Sequence, residues 1–383
     1  MRKRSSITVT LAVAMAYLGA VGGVASARPR PRLDPFVQLQ ALGRGVNFGN
    51  ELEADPAEGA WTNGLVIEEP HFSLARQAGF DSVRIPVAFS LHSLADPPYT
   101  IDPAFLARVE QVVGWGLGKG LRIVLDLHNY GEVQWDPQGQ RQRFVALWRQ
   151  IATRFRGAPD RLYYELLNEP NSGLTIDVWN DLAAEAVRAI REIDPLHTIV
   201  IDAVDYGNPD GLFGLRIPDG EENAIVTFHY YEPHLFTFQG KPWMGVDWST
   251  TGITWPGPSA SPLAPAPGVS PWVAAWLDAY DAIRDPALNP AGTRIIELQI
   301  DQAAAWARGK RYPLWMSEFT AQDGADLASR ARWTSFVRRQ LERNRIPWST
   351  WTLLSDSGSK LYDVSTGRWT IELTEALGLN VRN

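Results

Sequence analysis

Arg161-Leu-Tyr-Tyr-Glu-Leu-Leu-Asn-Glu-Pro-Asn171 begins as a short apolar run, Leu162 to Leu167, and stops on Asn168, Glu169 and Pro170. The run is strand-like. Its proline can neither continue a ladder nor permit a helix at the residue before it, so Asn168 and Glu169 are presented on a rigid corner at the strand's carboxyl end. An ordinary strand-to-loop turn is the alternative. Against it stands Pro313-Leu-Trp-Met-Ser-Glu318, where a second short apolar run delivers a second carboxylate at its end.

Outward from this stretch, strand-like and helical patterns alternate. Gly43 to Asn50 reads as a short strand ending in polar residues. A helix follows from Glu69 to Gly79, then a strand from Phe80 to Pro86. Asp102 and Pro103 start a helix in which Phe105, Val109, Val112 and Val113 keep the helical period, and Gly120 ends it. Leu121 to Leu127 is the next buried strand and runs into His128 and Asn129. Helical patterns cover about 140–156, 177–193, 293–310 and 325–343. Strand patterns cover 198–203, 224–228, which delivers His229-Tyr-Tyr231, and 346–351, which ends in Trp351.

Eight short, almost unbroken apolar strands separated mostly by helices imply a parallel sheet covered on both faces. Eight such units in 383 residues predict a (β/α)₈ TIM barrel. A doubly wound sheet would place a Gly-rich phosphate turn after its first strand, and Gly43-x-Gly45 has no third glycine in register. The repeat breaks once, after the sixth strand. There a long segment, Glu232 to Gly292, is rich in Pro, Ser, Gly and Trp, with a helix predicted from Pro271 to Ile283. An insertion at a strand's carboxyl end is expected to wall a cleft with Trp243, Trp248 and Trp255; the alternative is that its tryptophans pack a small core of their own.

The chain is 45% hydrophobic and 21% charged, enough for one large core or two modest ones. Arg2, Lys3 and Arg4 precede an apolar stretch from Ile7 to about Val24, followed by Ala25-Ser26-Ala27. This is the pattern of a secretory signal, residues 1–27, cleaved after Ala27; an uncleaved anchor is the alternative. Residues 28–383 are then expected to form a single catalytic domain behind a Pro/Arg-rich linker, about 28–34. Cleavage removes three positive charges from a chain of net charge −7, and an acidic protein without basic runs is a poor nucleic-acid binder. The absence of cysteine excludes thiol chemistry and Cys-ligated metals. Sixteen tryptophans favour carbohydrate, whose faces stack on flat apolar platforms.

On a barrel, the polar residues that end the strands converge on one mouth: Arg84, His128, Asn168, Glu169, His229, Tyr231, Glu318 and Trp351. Each has a plain structural explanation alone, as a buried ion-pair partner, a core histidine or a packing aromatic. Together they would require several unrelated accidents at one end. Two carboxylates there, without metal-ligand spacing in the sequence, are the equipment for glycoside hydrolysis. One must give a proton to the leaving oxygen and the other must meet the anomeric carbon, so their environments must differ. Glu318 needs a cation and a donor, which Arg84 and Tyr231 could supply; Glu169 needs a less compensated site that keeps its proton.

At these residues the chain resembles glycoside hydrolase family 5, cellulase family A of the (β/α)₈ clan. The resemblance spans Leu42 to about Asp356. It rests on Gly45-Val-Asn-Phe-Gly-Asn50, Arg84, Leu127-His128-Asn129, Leu167-Asn-Glu-Pro170, His229-Tyr-Tyr231, Ser317-Glu-Phe319 and Trp348-x-x-Trp351, in the family's order. It implies that Glu169 is the acid/base and Glu318 the nucleophile. It also implies that Asn168 binds the 2-hydroxyl, that Arg84 and Tyr231 hold the nucleophile, that His128 and His229 line the central subsite and that Trp351 stacks under a sugar. Asn129 stands where some members carry a second His, and Ser317 where Gly is frequent. Glu51, Glu53 and Trp61 could shape distal subsites.

The expectation is a secreted, monomeric, retaining endo-β-glycosidase acting on a β-linked polysaccharide or oligosaccharide, with β-1,4-glucan first and mannan or another β-glycan as the alternative. No cofactor, metal, nucleic acid or membrane partner is expected after cleavage. A metal-dependent barrel hydrolase fares badly with six histidines and no His-x-His spacing. A non-catalytic carbohydrate-binding protein would not need two glutamates closing two different strands.

Overall fold

Eight parallel strands close on themselves in sequence order, β1 pairing with both β2 and β8. They are β1 (Arg44–Asn47), β2 (Ser82–Val87), β3 (Arg122–Leu127), β4 (Leu162–Glu165), β5 (Thr198–Asp202), β6 (Ala224–Tyr230), β7 (Leu314–Phe319) and β8 (Trp348–Thr350). The computed structural model describes residues 33–355 and 358–383, and the fold is the (β/α)₈ barrel expected from the alternation. Closure excludes the doubly wound sheet. The signal-peptide segment, 1–27, lies outside the described residues. Among those residues no helix is long and apolar enough to cross a membrane.

The helix boundaries follow local chemistry. Asp102 accepts the N–H groups of Ala104 and Phe105 at 2.7 and 2.9 Å, opening helix Pro103–Gly118 with proline where no donor is lost. Gly79, at φ +98°, ends helix Glu69–Ala78 in a left-handed turn that a side chain would strain. One helix that the sequence reading did not anticipate begins at Pro35, directly after the expected linker. Asp34 caps Pro35–Leu42. Leu39 and Leu42 of that helix pack with Val124, Tyr163, Val200, Ile225 and Trp315, one from each of β3 to β7, closing the barrel's amino-terminal end.

Side chains alternate across a strand, so residues two positions further on enter the barrel one layer higher. Above the apolar plug come Asp126, Glu165, Asp202, Thr227 and Ser317, all fully buried. The layer is polar, and Arg84 fills it. Between β6 and β7 the register slips at Phe228/His229, so that Phe228 faces Met316 and His229 faces Glu318. Such an irregularity changes which side chain points inward, and here it brings His229 and Glu318 side by side at the mouth.

The tryptophans between β6 and helix Thr293–Lys310 divide. Trp255 is buried against Phe336, and Trp276 stacks on Tyr280 at 5.4 Å. Trp255 is therefore a core residue, which corrects its assignment to a cleft wall. Trp243 is exposed and meets Phe238 edge-on, and Phe238 in turn lies against Tyr231 of the site.

Candidate active site

Arg84 is fully buried and organises the mouth. Its Nε and Nη2 donate to the two oxygens of Glu165 at 2.7 and 2.8 Å, and Nη2 also reaches Asp126 Oδ2 at 2.8 Å and Asn168 Oδ1 at 2.9 Å. Nη1 donates to Asn47 Oδ1 at 3.1 Å and to Glu318 Oε1 at 2.6 Å. Burial alone would favour loss of its proton. The fields of Asp126, Glu165 and Glu318 outweigh that and hold the guanidinium charged. The second oxygen of Glu318 accepts the Tyr231 hydroxyl at 2.7 Å. Burial, then the charge of Glu318, pushes that phenol far up, so Tyr231 stays a donor.

Glu169 sits differently. Its backbone is left-handed, φ +49°, a conformation a non-glycine residue keeps only when its surroundings fix it. They do so here: the N–H donates to Asp202 Oδ2 at 2.9 Å, and the carbonyl accepts from Gln134 Nε2 at 3.1 Å and Asn171 Nδ2 at 2.8 Å. Its carboxyl Oε1 lies 2.8 Å from His229 Nδ1. Its side chain is 26% exposed. Loss of hydration there raises its pKa to about 7, against the opposing fields of His128, Arg84 and His234. One oxygen of Glu169, one of Glu318 and a ring nitrogen of His229 all lie within 4.8 Å of one another.

Burial lowers both histidines to about 4, so their contacts with carboxylates are hydrogen bonds of neutral rings. His128 Nδ1 is 2.6 Å from Asp126 Oδ2, and its ring lies 6.0 Å from that of Trp351 at an interplanar angle of 25°. Gly49 lets Trp351 lie flat on the β1 loop: a Cβ there would meet the indole at 2.3 Å. The structure thus brings Arg84, Asn168, Glu169, His229, Tyr231 and Glu318 into one contact network, with His128 and Trp351 alongside. Asn129 donates its amide to the Glu53 carbonyl at 2.9 Å, tying the β3 loop to the β1 loop.

Asp126, Glu165, Asp202, Asn47 and Gln134 belong to this site although the sequence reading passed over them. For all but Gln134, which lies on the short helix Gly131–Trp135, the signal was an acid or amide set inside an apolar strand or at its end. Glu53 is buried beside them, and desolvation raises its pKa to about 8. Two groups could supply three ligands to a cation: Glu165, Asp202 and His229, and Glu169, His229 and Glu318. A cation in the second would stand beside the Arg84 charge, which disfavours it.

A closed barrel whose mouth holds two carboxyls in unlike environments, one clamped by Arg and Tyr and one kept protonated by desolvation, defines a barrel glycosidase site. Comparison with known proteins agrees. The profile of Cellulase (glycosyl hydrolase family 5) matches residues 43–357, and the chain belongs to this family. Endoglucanase H of Acetivibrio thermocellus is 29% identical over 349 residues, 90% of this chain but 34% of its own length. Endoglucanase C of the same organism is 27% identical, covering 74% of this chain and 83% of its own length. The crystal structure of endoglucanase Cel5A from Thermotoga maritima superposes with a TM-score of 0.78 at 38% identity, over 90% of this chain and 100% of that one. The chain spans only about a third of endoglucanase H and about half of Fibrobacter succinogenes endoglucanase 3.

Proposed function

We propose that this chain hydrolyses internal β-1,4 linkages of a soluble β-glucan by double displacement. The observation that carries the reading is the asymmetry of the two carboxyls. Glu318 is held by Arg84 at 2.6 Å and Tyr231 at 2.7 Å, facing a Glu169 whose pKa is raised to about 7. Glu169 gives its proton to the glycosidic oxygen as the C–O bond breaks, and a Glu318 oxygen bonds to the anomeric carbon. Water then cleaves that ester, its proton passing to Glu169 and its oxygen to the sugar, which restores both carboxyls. Arg84 occupies Asn168 Oδ1, leaving the amide NH₂ to meet the substrate's 2-hydroxyl.

Glu169→Gln and Glu318→Gln test this. Each should lower turnover of β-glucan at least about 10²-fold with the fold intact. On an aryl glycoside, whose leaving group needs no proton, the first variant should regain much of its rate and the second should not. Near-normal glucan turnover by either variant removes that residue from the mechanism.

A second reading, β-mannan, is supported by the similar Thermotoga maritima Cel5A, which has been crystallised in complex with mannotriose at 37% identity to this chain. Reducing-sugar release across soluble glucan, xyloglucan, mannan and glucomannan distinguishes the two. The leader-like residues 1–27 support export, tested by amino-terminal sequencing of protein recovered outside the cell.

A further inference from the structure

Behind the Glu169 corner lies a carboxyl that the double displacement does not use. Asp202 ends β5, fully buried, and its Oδ2 accepts the Glu169 N–H at 2.9 Å. The same oxygen lies 3.8 Å from Nε2 of His229, whose Nδ1 is 2.8 Å from Glu169 Oε1. One imidazole therefore stands between two carboxyls. Neither Asp202 Oδ1 nor His229 Nε2 has a hydrogen-bond partner among the described residues, so nothing else fixes the ring's tautomer. Gly207 keeps the ring in place, since a Cβ there would meet His229 Cγ at 2.9 Å.

We propose that Asp202 is a positioning residue for Glu169, fixing its corner through the backbone N–H and linked, across the His229 ring, to the proton that Glu169 carries. The inference rests on Glu169 being the acid/base. A neutral imidazole has one N–H. When Glu169 is protonated it donates to Nδ1, the ring proton sits on Nε2, and that N–H faces an ionised Asp202. When Glu169 gives its proton to the leaving oxygen, the ring's one proton is left between two carboxylates: on Nδ1 it meets Glu169 and leaves a bare Nε2 facing Asp202, and on Nε2 it meets Asp202 and leaves Nδ1 bare beside Glu169. An ionised Asp202 thus favours the protonated Glu169 that the first chemical step needs.

The surroundings make this pair responsive. Asp202 faces Glu165 of β4, Asp126 of β3, Arg84 of β2 and His229 of β6, while Trp179 of helix Ile176–Arg191 binds only its backbone carbonyl. Glu169 faces His128, His229, Arg84 and His234, and the ring between the two acids also feels Glu318. Burial, then the field of Glu165, raises Asp202 well above the usual carboxylate range, so its ionised form, and with it the link to Glu169, grows in as pH rises.

Asp202→Asn keeps an oxygen for the Glu169 N–H but abolishes the charge. In the full chain, the alkaline limb of kcat/KM on soluble β-glucan should move to lower pH by about half a unit or more. The kcat/KM for soluble β-glucan should fall by a larger factor than that for an aryl glycoside with a good leaving group, whose departure needs no proton. A glucan limb at the parent's position overturns the proposal and leaves Asp202 a structural residue. If Asp202→Asn does not fold, protein labelled with ¹³Cγ-aspartate gives the same decision. A buried aspartate resonance should change its titration when Glu169 becomes Gln, and unchanged titration of every aspartate overturns the proposal. Failure of the acid/base assignment itself would appear separately, as glucan turnover persisting in Glu169→Gln.

Discussion

Arg84 Nη1 meets Glu318 Oε1 at 2.6 Å with both side chains almost completely shielded from water. The same guanidinium also compensates Asp126 and Glu165, so one cation serves three carboxylates. Removing it should therefore be costly to the fold as well as to the chemistry. Arg84→Ala is expected to lose about 3–5 kcal/mol in urea unfolding, because uncompensated buried charge remains. Arg84→Lys keeps the charge but not the planar fork, so it should retain more stability and still lose most glucan turnover. Stability of Arg84→Ala equal to the parent would mean that the acids around it are neutral.

The barrel was legible because its strands are apolar runs punctuated by Gly, Pro and caps, and the residues that end them, such as Glu169 and His229, stand out from what precedes them. The acids Asp126, Glu165 and Asp202 were not, because each sits inside or at the end of a strand whose other residues read as core. Only closure of the barrel brings them around Arg84. The slip between Phe228 and His229 left no sequence mark either, since it depends on how β6 and β7 pair rather than on what either contains. Asn129, with a left-handed backbone at φ +57°, donates its amide to the β1 loop, a contact that only the folded loops create.

Buried acids and buried histidines set opposite limits on the useful pH. Glu169 and Asp126 are raised to about 7 and Glu53 to about 8, each first by burial. Their unfolded values lie near about 4. The folded state therefore holds these protons more tightly, and the stability they give is complete below about pH 4 and lost as pH rises through about 7 to 8. His128 and His229, lowered to about 4, act in reverse: their contribution is complete above about pH 6.5 and lost as pH falls through about 4. The melting temperature should peak in mildly acidic buffer and fall between pH 6 and pH 8. Glu53→Gln should flatten that fall, and an unchanged slope would show that Glu53 does not titrate there. Glucan hydrolysis should decline through about pH 7 as Glu169 loses its proton.

The tryptophans of the β6–β7 segment should separate into two kinds on mutation. Trp255→Ala opens a cavity against Phe336 and is expected to destabilise the chain by about 3–5 kcal/mol. Trp243 is 62% exposed, so Trp243→Ala should change stability by less than about 0.5 kcal/mol. Its ring joins the site through Phe238 and Tyr231, and its loss should weaken binding of long oligosaccharides more than of short ones. Calorimetric titration with a ladder of oligosaccharides checks this. Equal losses at every length would leave Trp243 without a subsite.

The stereochemistry of the product depends on whether water fits between the nucleophile and the sugar. An inverting enzyme separates its carboxyls by about 6.5–9.5 Å to admit that water, and a retaining one by about 5–5.5 Å. One oxygen of Glu169, one of Glu318 and a ring nitrogen of His229 lie within 4.8 Å of one another, which suits the shorter separation. Arg84 and Tyr231 hold the two Glu318 oxygens, and in the proposed double displacement one of these attacks the anomeric carbon. The first product released from a β-glucan should therefore be the β-anomer, read by NMR before mutarotation. Added methanol should also appear in a β-methyl glycoside, because the glycosyl ester on Glu318 can be intercepted by an alcohol in place of water. An α-anomer appearing first would make Glu318 a base acting on water, and the clamp that Arg84 and Tyr231 form would then have to be read as orienting a base rather than a nucleophile.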